Sequence, residues 1–347
     1  MRFSGYIEGY YGRILNWTER HNIIEFLHLN NLNTYFYCPK EDPFHRSKWM
    51  DPYPNSFLYA FQNFSDYANA KEIKIIFGIS PGELWDASQG FDKLKTKIQT
   101  FKKIGIKYFC ILFDDISKNK EDGILHSDII NQCLDEFPDL EFSCVPSQYC
   151  ASMLKDGSDY LDGLNQCNLR VPFFWTGDQV IHSDYASRKI NLWKKNFSKD
   201  RKIIIWDNTF ANDYCTPKIV LQEYENPPID NDELDGFLIN ATGIKPLDTV
   251  FLAVLSNYFQ MENKQSFDEV LARFLPQELL QVKDLFAIEL HKSKVYDHEK
   301  LINQLLWDWH HDLKEYFYPY LHLLKKMIDE KSSTNFDLLE KRFRIKS

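Results

Sequence analysis

The chain has 347 residues, of which 44% are hydrophobic and 16% aromatic, and its formal net charge is −9. This length and apolar content predict one large folded domain with a smaller one, and they exclude a disordered chain. The acidic balance excludes non-specific nucleic-acid binding, because such binding needs lysines and arginines that neutralise phosphates.

The seven cysteines are irregularly spaced and include no Cys-x-x-Cys pair, so neither a zinc site nor a disulfide framework is predicted. Several lie within apolar runs, which fits a reducing compartment. The first residues lack the apolar core of a signal peptide. No uncharged apolar stretch reaches the length of about 18 residues that suggests a membrane span. From these features we expect a cytoplasmic protein without membrane contact.

Eight short apolar runs rich in β-branched and aromatic residues recur at starts roughly 30 to 40 residues apart. The predicted strands are residues 3–8, 34–37, 74–79, 108–113, 140–145, 169–174, 203–206 and 236–239. Segments with apolar residues at helical spacing lie between them: residues 19–29, 57–70, 91–104, 124–137, 183–197 and 218–224. This alternation predicts an α/β protein built on a closed (β/α)₈ barrel of the TIM type. An open doubly wound sheet is the alternative, but the turn after the first strand is not a glycine-rich phosphate loop.

The pattern changes after residue 247. Residues 247–259 predict the eighth barrel helix, and residues 266–294 and 297–329 predict two long amphipathic helices with no strand between them. We therefore place the catalytic barrel in residues 1–260 and a small C-terminal helical domain in residues 261–347. His310 and His311 fall on the last helix as surface residues rather than metal ligands. The aromatic residues near these histidines are expected to form the core of the helical domain or, alternatively, a dimer face. They are Trp307, Trp309, Tyr316, Phe317 and Tyr318.

Polar residues follow the predicted strands at their carboxyl ends, where the active sites of such barrels lie. They are Glu8, Gly9, Lys40, Ser80, Asp114, Asp115, Gln148, Tyr149, Trp175, Asp178, Asp207, Asn208, Asp213 and Asn240. The opposite strand ends carry no comparable set. Aromatic and amide side chains around carboxylates indicate a sugar site, because the rings pack on a pyranose face while amides and acids bind its hydroxyls.

Asp114 and Asp115 directly follow the fourth strand. Two carboxylates after a buried strand must be paired, desolvated or placed to react. Adjacent like charges separate their pKa values, which would leave one ionised and the other able to hold a proton near neutrality. A Mg²⁺ site with Asp207 as third ligand is the alternative, although no phosphate-binding loop accompanies it. A Ser-His-Asp triad lacks its Gly-x-Ser-x-Gly motif.

In its strand-end motifs the sequence resembles glycoside hydrolase family 84, which comprises O-GlcNAcases and bacterial hexosaminidases. The motifs follow the family's order along the whole barrel. They are Glu8-Gly9-Tyr10-Tyr11-Gly12-Arg13, Asn33-Thr34-Tyr35-Phe36-Tyr37-Cys38-Pro39-Lys40, Ile79-Ser80-Pro81-Gly82, Leu112-Phe113-Asp114-Asp115-Ile116, Tyr149-Cys150, Trp175-Thr176-Gly177, Trp206-Asp207-Asn208, Ala211-Asn212-Asp213-Tyr214 and Asn240. The sequence departs from the family at Gln148, where an acidic residue is common, and in loop 83–86. Both departures concern the pocket rim and therefore the leaving-group preference.

The resemblance implies a retaining exo-β-N-acetylglucosaminidase in which the substrate's own acetamide oxygen attacks, through an oxazoline intermediate. It implies that Asp114 orients and polarises the acetamide, and that Asp115 acts as general acid and then as general base. Tyr149 and Asn208 would hold the acetamide group, and Trp206 would line the pocket. The residues implied to bind sugar hydroxyls are Gly9 (through its backbone), Lys40, Asp213 and Asn240.

The implied substrate is a GlcNAc-bearing glycan or an O-GlcNAc-modified protein, and neither a cofactor nor a metal is implied. Two other interpretations stay open. A non-catalytic GlcNAc-binding barrel would be free to lose one of the two aspartates, and a Mg²⁺-dependent barrel lyase or aldolase would lose activity with a chelator. A homodimer through the C-terminal helices is also open.

Overall fold

The structure is a computed structural model that describes residues 1–82, 85–116, 122–154, 159–227, 231–260, 262–329 and 340–346. Eight parallel strands form a closed barrel in chain order: β1 (Phe3–Glu8), β2 (Thr34–Tyr37), β3 (Lys74–Ile79), β4 (Tyr108–Leu112), β5 (Glu141–Val145), β6 (Phe173–Trp175), β7 (Ile203–Asp207) and β8 (Leu234–Asn240). The first strand pairs with both β2 and β8, so the sheet has no free edge. The predicted barrel fold is confirmed.

Helices alternate with the first seven strands: α1 (Trp17–Leu29), α2 (Asn55–Ala70), α3 (Gly90–Lys103), α4 (Asp122–Glu136), α5 (Asp159–Leu164) and α6 (Ser187–Trp193). The first of them begins at a capping box. The Asn16 side chain accepts from the Glu19 N–H, and the Glu19 carboxylate accepts from the Asn16 N–H. Strand β6 begins later than predicted, at Phe173, because Pro172 has no N–H to donate to a ladder.

The predicted helix at residues 218–224 is wrong, since the described residues between β7 and β8 form no helix. Long-range bonds hold this segment extended instead. The Lys218 ammonium is buried and donates to the carbonyls of Ile288 and Phe343, and the Leu221 N–H donates to the carbonyl of Phe286. A backbone engaged in these contacts cannot also form helical hydrogen bonds.

The contacts divide the chain into two compact units, Met1–Asn208 with Glu225–Ala241, and Thr209–Tyr224 with Thr242–Ser347. The barrel strands belong to the first unit. The second contains α7 (Lys245–Phe259), α8 (Phe267–Ala272), α9 (Gln277–Leu280), β9 (Leu290–His291), α10 (Lys292–Asp297), α11 (Glu299–Trp307), α12 (Lys314–Asp329) and β10 (Ile345–Lys346). The domain boundary at residue 260 stays a prediction.

The two long C-terminal helices of the prediction are wrong, because this region consists of shorter pieces. Pro276 separates α8 from α9, since a proline N-terminal to a helix cannot continue the preceding one. His310 and His311 lie between α11 and α12 rather than on a helix, and both are exposed. Trp309 and Phe317 are buried as core residues, whereas Trp307 is 56% exposed. No helix among the described residues is long and apolar enough to cross a membrane.

The barrel interior is filled by one apolar cluster drawn from all eight strands. Its members are Phe3, Ile7, Phe36, Cys38, Ile76, Cys110, Leu112, Val145, Phe174, Ile204, Trp206 and Leu238. Side chains along a strand alternate between faces, so the residue two positions past an interior residue continues on the inside. Five predicted site residues hold that position: Gly9, Lys40, Asp114, Asn208 and Asn240. The strand period therefore directs them to the carboxyl-end mouth of the barrel.

Candidate active site

A buried ion pair joins Lys40, which follows β2, to Asp114, which follows β4. The Lys40 ammonium donates to Asp114 Oδ2, and the two side chains are 3% and 8% exposed. Burial opposes the charge on Lys40, but Asp114 and Asp115 outweigh burial and raise the pKa of Lys40. Asp114 Oδ1 is buried and has no hydrogen-bond partner among the described residues. A buried acceptor without a partner is costly, so this oxygen is suited to receive a donor from a ligand.

Asp115 lies beside this pair and is reached from several loops. Its backbone adopts a left-handed conformation with φ of 56°, and its side chain is 32% exposed. Asp115 Oδ2 accepts from the Tyr11 hydroxyl at 2.7 Å and lies 3.6 Å from the Lys40 ammonium. Asp115 Oδ1 accepts from the Tyr149 hydroxyl at 3.2 Å. The predicted residues Asp115, Lys40 and Tyr149 are thus brought together.

The protonation of Asp115 differs from the sequence-based expectation. Burial favours its neutral form, but the Lys40 ammonium and the donors Tyr11 and Tyr149 outweigh burial and lower the pKa of Asp115. With the side chains arranged in this way, Asp115 is a carboxylate rather than the proton-bearing partner near neutrality. Adjacency in the sequence shows the repulsion between two aspartates, but it does not reveal the donors that surround Asp115 in the fold.

Tyr11 and Arg46 also contact this group, although neither is among the predicted site residues. The Arg46 guanidinium donates to the Tyr11 hydroxyl oxygen at 2.7 Å. Burial and the hydrogen bond to Asp115 raise the pKa of Tyr11 to about 12, so its phenol stays protonated. Tyr11 belongs to the motif Glu8–Arg13 after the first strand, so the sequence could have indicated it as a site residue. No pattern in the sequence indicates Arg46.

A second cluster is formed by the residues after β1, β7 and β8. Asn208 Oδ1 accepts from the Trp206 indole N–H at 3.0 Å and from the Asn240 amide at 2.9 Å. A Cβ on Gly9 would lie 2.8 Å from Trp206 Cη2 and 2.9 Å from Asn240 Oδ1, so only glycine fits there. The Lys40 ammonium lies 5.8 Å from the Trp206 ring centroid. This contact makes the two clusters neighbours around one barrel mouth.

Other strand-end carboxylates serve the structure instead. Both Glu8 oxygens accept from Arg20, at 2.8 and 2.9 Å. Asp207 Oδ1 accepts from Tyr185 at 2.7 Å, and Asp178 binds the Lys189 ammonium. Within the described residues, no group of three His, Cys, Asp or Glu side chains is placed to hold a metal ion.

Asp213 lies apart from these clusters in the chain, and a cleft lies beside Asp115. Asp213 lies in the segment after β7 that belongs to the second unit, so its role in sugar binding stays a prediction. The cleft has a volume of about 330 Å³. Its described lining residues are Lys40, Glu41, Pro43, Arg46, Ser47, Ser80, Pro81, Gly82, Asp115 and Ile116. Asp115 therefore faces open space on the side of the loops after β2 and β3.

Comparisons with known proteins fit this geometry. The family model NAGidase, beta-N-acetylglucosaminidase, matches residues 4–284. Protein O-GlcNAcase of Rattus norvegicus is 30% identical over 239 residues, which is 64% of this chain and 26% of that protein, and Protein O-GlcNAcase of Mus musculus matches equally. This chain thus spans about a quarter of the length of these relatives.

A solved structure, "Structure of CpGH84B", is similar in fold, with a TM-score of 0.75 at 19% identity over 99% of this chain and 72% of that chain. Because the family model covers most of the sequence, including both aspartates and all of the barrel strands except Phe3, the chain belongs to the β-N-acetylglucosaminidase family of glycoside hydrolases, family 84.

Proposed function

We propose that this chain is a retaining exo-β-N-acetylglucosaminidase that releases terminal β-linked GlcNAc from glycans or from O-GlcNAc-modified proteins. The observation that carries the proposal is the asymmetry of Asp114. One of its buried oxygens is neutralised by Lys40, and the other has no partner among the described residues. An acetamide N–H is a donor of the kind that this oxygen lacks. The similarity to two proteins named Protein O-GlcNAcase supports protein-linked GlcNAc as one substrate.

In the first step, the substrate's acetamide oxygen attacks the anomeric carbon and the bond to the leaving oxygen breaks. Asp114 accepts the acetamide N–H, which makes the attacking oxygen more nucleophilic and stabilises the positive charge that develops on the oxazoline. Asp115 gives a proton to the leaving oxygen. Tyr149 and Asn208 hold the acetamide, and Trp206 lines the pocket. No protein nucleophile is required.

In the second step, the Asp115 carboxylate takes a proton from water as the water attacks the anomeric carbon and opens the oxazoline. Two inversions at that carbon return the β-configuration. The lowered pKa of Asp115 suits this step directly, because burial is outweighed by Lys40 and the phenol donors. For the first step Asp115 must hold a proton, which Oδ1 can carry when Tyr149 turns to the acetamide, while Oδ2 still accepts from Tyr11.

Release of a fluorogenic leaving group from β-GlcNAc tests the proposal. The wild-type chain should turn over this substrate with or without a chelator, and Asp115→Asn should lose most of that activity. Absence of turnover by the wild type would overturn the enzyme proposal. Saturable GlcNAc binding without turnover would instead favour a binding module, and loss of turnover with chelator would favour a Mg²⁺-dependent enzyme.

A series of substrates with progressively fluorinated acetamides tests the nucleophile. Fluorine withdraws electrons from the acetamide oxygen, so kcat/KM should fall with each fluorine added if that oxygen attacks. A rate that does not change along the series would exclude neighbouring-group participation while leaving glycosidase activity intact.

A further inference from the structure

Two hydrogen bonds in series connect Arg46 to Asp115 through Tyr11. The Arg46 guanidinium donates to the Tyr11 oxygen at 2.7 Å, and the Tyr11 hydroxyl donates to Asp115 Oδ2 at 2.7 Å. We propose that Arg46 and Tyr11 are positioning residues that aim the Asp115 carboxyl group at the leaving oxygen and favour its ionised form. This inference rests on the function proposed above.

Asp115 needs such support because the barrel does not orient it. Asp114 continues the inward phase of β4, whereas Asp115 is one residue out of phase and is turned by its left-handed backbone, with φ of 56°. Aspartate tolerates this conformation better than most residues. The side chain is 32% exposed, so packing alone does not fix it, and hydrogen bonds must set its rotamer.

The direction of the chain of bonds follows from its end groups. A guanidinium has only donors, and an ionised carboxylate has only acceptors. The single Tyr11 hydrogen is therefore directed to Asp115 while its oxygen accepts from Arg46. A protonated Asp115 can still accept from Tyr11 on Oδ2, but the bond to a charged oxygen is the stronger one, so the arrangement favours the carboxylate. Such bonds are also the shorter ones.

Other groups also face Asp115, and a test has to separate their effects from those of the two bonds that run from Arg46 through Tyr11. The charged and titratable neighbours are Lys40 and Arg46 from the loop after β2, Asp114 from its own loop, Tyr11 from the loop after β1, and Tyr149 from the loop after β5. Lys40 is committed to Asp114, and Tyr149 binds the opposite Asp115 oxygen at 3.2 Å. Tyr11 and Arg46 are therefore the pair that can be removed without breaking the buried ion pair.

The cleft shows why the effect should depend on the leaving group. Arg46 and Asp115 both line this cleft. A leaving group that entered the cleft would therefore lie beside its proton donor and beside Arg46. A leaving group of low pKa departs without a proton, whereas one of high pKa requires the acid. A poorly aimed Asp115 should therefore slow only the second class of substrate.

The experiment compares Tyr11→Phe, Arg46→Met and Arg46→Lys on β-GlcNAc substrates with an alkyl or a nitrophenyl leaving group. At each enzyme's optimum pH, kcat/KM for the alkyl substrate should fall about tenfold in the first two variants, as part of what general acid catalysis supplies. It should change less than about twofold for the nitrophenyl substrate. Arg46→Lys should recover part of the loss, because lysine keeps the charge without the planar fork.

The pH profile provides a second readout. Removal of a donor to the carboxylate raises the pKa of Asp115, so the basic limb of kcat/KM should move to higher pH in Tyr11→Phe and Arg46→Met. Tyr59→Phe and Arg170→Met are matched controls, since both residues are exposed and lie outside the barrel mouth. They should leave both readouts unchanged.

A purely structural role predicts a different result. Equal losses for both leaving groups, with an unmoved basic limb, would overturn the positioning role, and so would variants that match the wild type in both readouts. Turnover of neither substrate by the wild type would contradict the proposed function itself. The two failures are therefore distinguishable.

Discussion

Two buried ion pairs lie at the carboxyl ends of the barrel strands, and they differ in how completely their oxygens are bonded. Glu8 receives two bonds from Arg20 and one from Tyr35, at 2.6 to 2.9 Å. Asp114 receives Lys40 on one oxygen, and its other oxygen has no partner among the described residues. A carboxylate with every oxygen bonded fixes structure, whereas a buried carboxylate with an unmatched oxygen is held ready for a donor.

The difference follows from the phase of the strands. Ile7 faces the barrel interior, so Glu8 faces outward, where Arg20 of α1 meets it. Leu112 also faces the interior, and Asp114, two residues later, continues inward to the mouth. A shift of one residue relative to the interior set thus separates a fully bonded carboxylate from one with an unmatched oxygen.

The fully bonded pair should be the more important one for stability. Arg20→Met leaves Glu8 buried without its cation, which should lower the free energy of unfolding by about 3–5 kcal/mol. Urea denaturation measures this, and kcat per folded molecule should stay near that of the wild type. The double variant Glu8→Met/Arg20→Met should recover much of the loss, because an apolar pair leaves no unmatched charge. An undiminished unfolding free energy in Arg20→Met would contradict the assignment.

The incompletely bonded pair should be the more important one for catalysis. Asp114→Asn should reduce kcat by about 10²–10³-fold, the range found when one group that stabilises developing charge is removed. Its stability should fall less than that of Arg20→Met, because Asp115 still lies 3.6 Å from the Lys40 ammonium. Steady-state kinetics and urea denaturation on the same preparation measure both. Asp178→Asn, at another strand end, is the control and should keep its activity. A fall in kcat of less than about tenfold in Asp114→Asn would contradict the proposed difference between the two ion pairs.

The barrel could be predicted because parallel strands covered on both faces are nearly continuous apolar runs. The bounds of β2 and β3 agree with the predicted residues 34–37 and 74–79. The segment at 218–224 could not be predicted, because Lys218 is held by carbonyls about seventy and more residues away. Helical spacing of apolar residues describes a local preference and carries no information about such contacts.

The site also contains residues that could be predicted from the sequence and residues that could not. Gly9, Lys40 and Asn240 could be placed at the mouth from strand phase alone, since each follows an interior residue by two positions. The orientation of Asp115 depends on a left-handed turn, and the contact of Arg46 with Tyr11 depends on how two loops fold. Neither feature leaves a periodic trace in the sequence.

The surroundings of Asp114 and Asp115 should also be sensitive to acid. Burial lowers the pKa of His126, which stacks on Phe113, and of His45 to about 3. In the unfolded chain a histidine titrates near 6.5. Because the unfolded state then binds more protons, stability should fall as pH drops below about 6.5, by about 1.4 kcal/mol per pH unit for each histidine. Between pH 7.5 and pH 5 this amounts to about 2 kcal/mol each.

Urea denaturation at the two pH values measures this loss, and His126→Gln should reduce it by about 2 kcal/mol while keeping a group that can bond Tyr160. Leu→Met at an exposed position such as Leu29 should leave the pH dependence as it is. If the unfolding free energy of His126→Gln had the same pH dependence as that of the wild type, burial of His126 would not be a source of acid sensitivity near Asp114.

The smallest expected effect concerns the cluster that faces the ion pair across the mouth. Gly9→Ala places a Cβ 2.8 Å from Trp206 Cη2 and 2.9 Å from Asn240 Oδ1, so both side chains must shift and kcat/KM should fall about tenfold. Phenylalanine lacks the outer ring of tryptophan, and Gly9→Ala/Trp206→Phe should therefore lose less than the sum of the two single variants. Kinetics over this double-mutant cycle measure the coupling. Strict additivity would mean that Gly9 does not act through the Trp206 ring, and that the mouth opposite Asp114 is less tightly built than its contacts indicate.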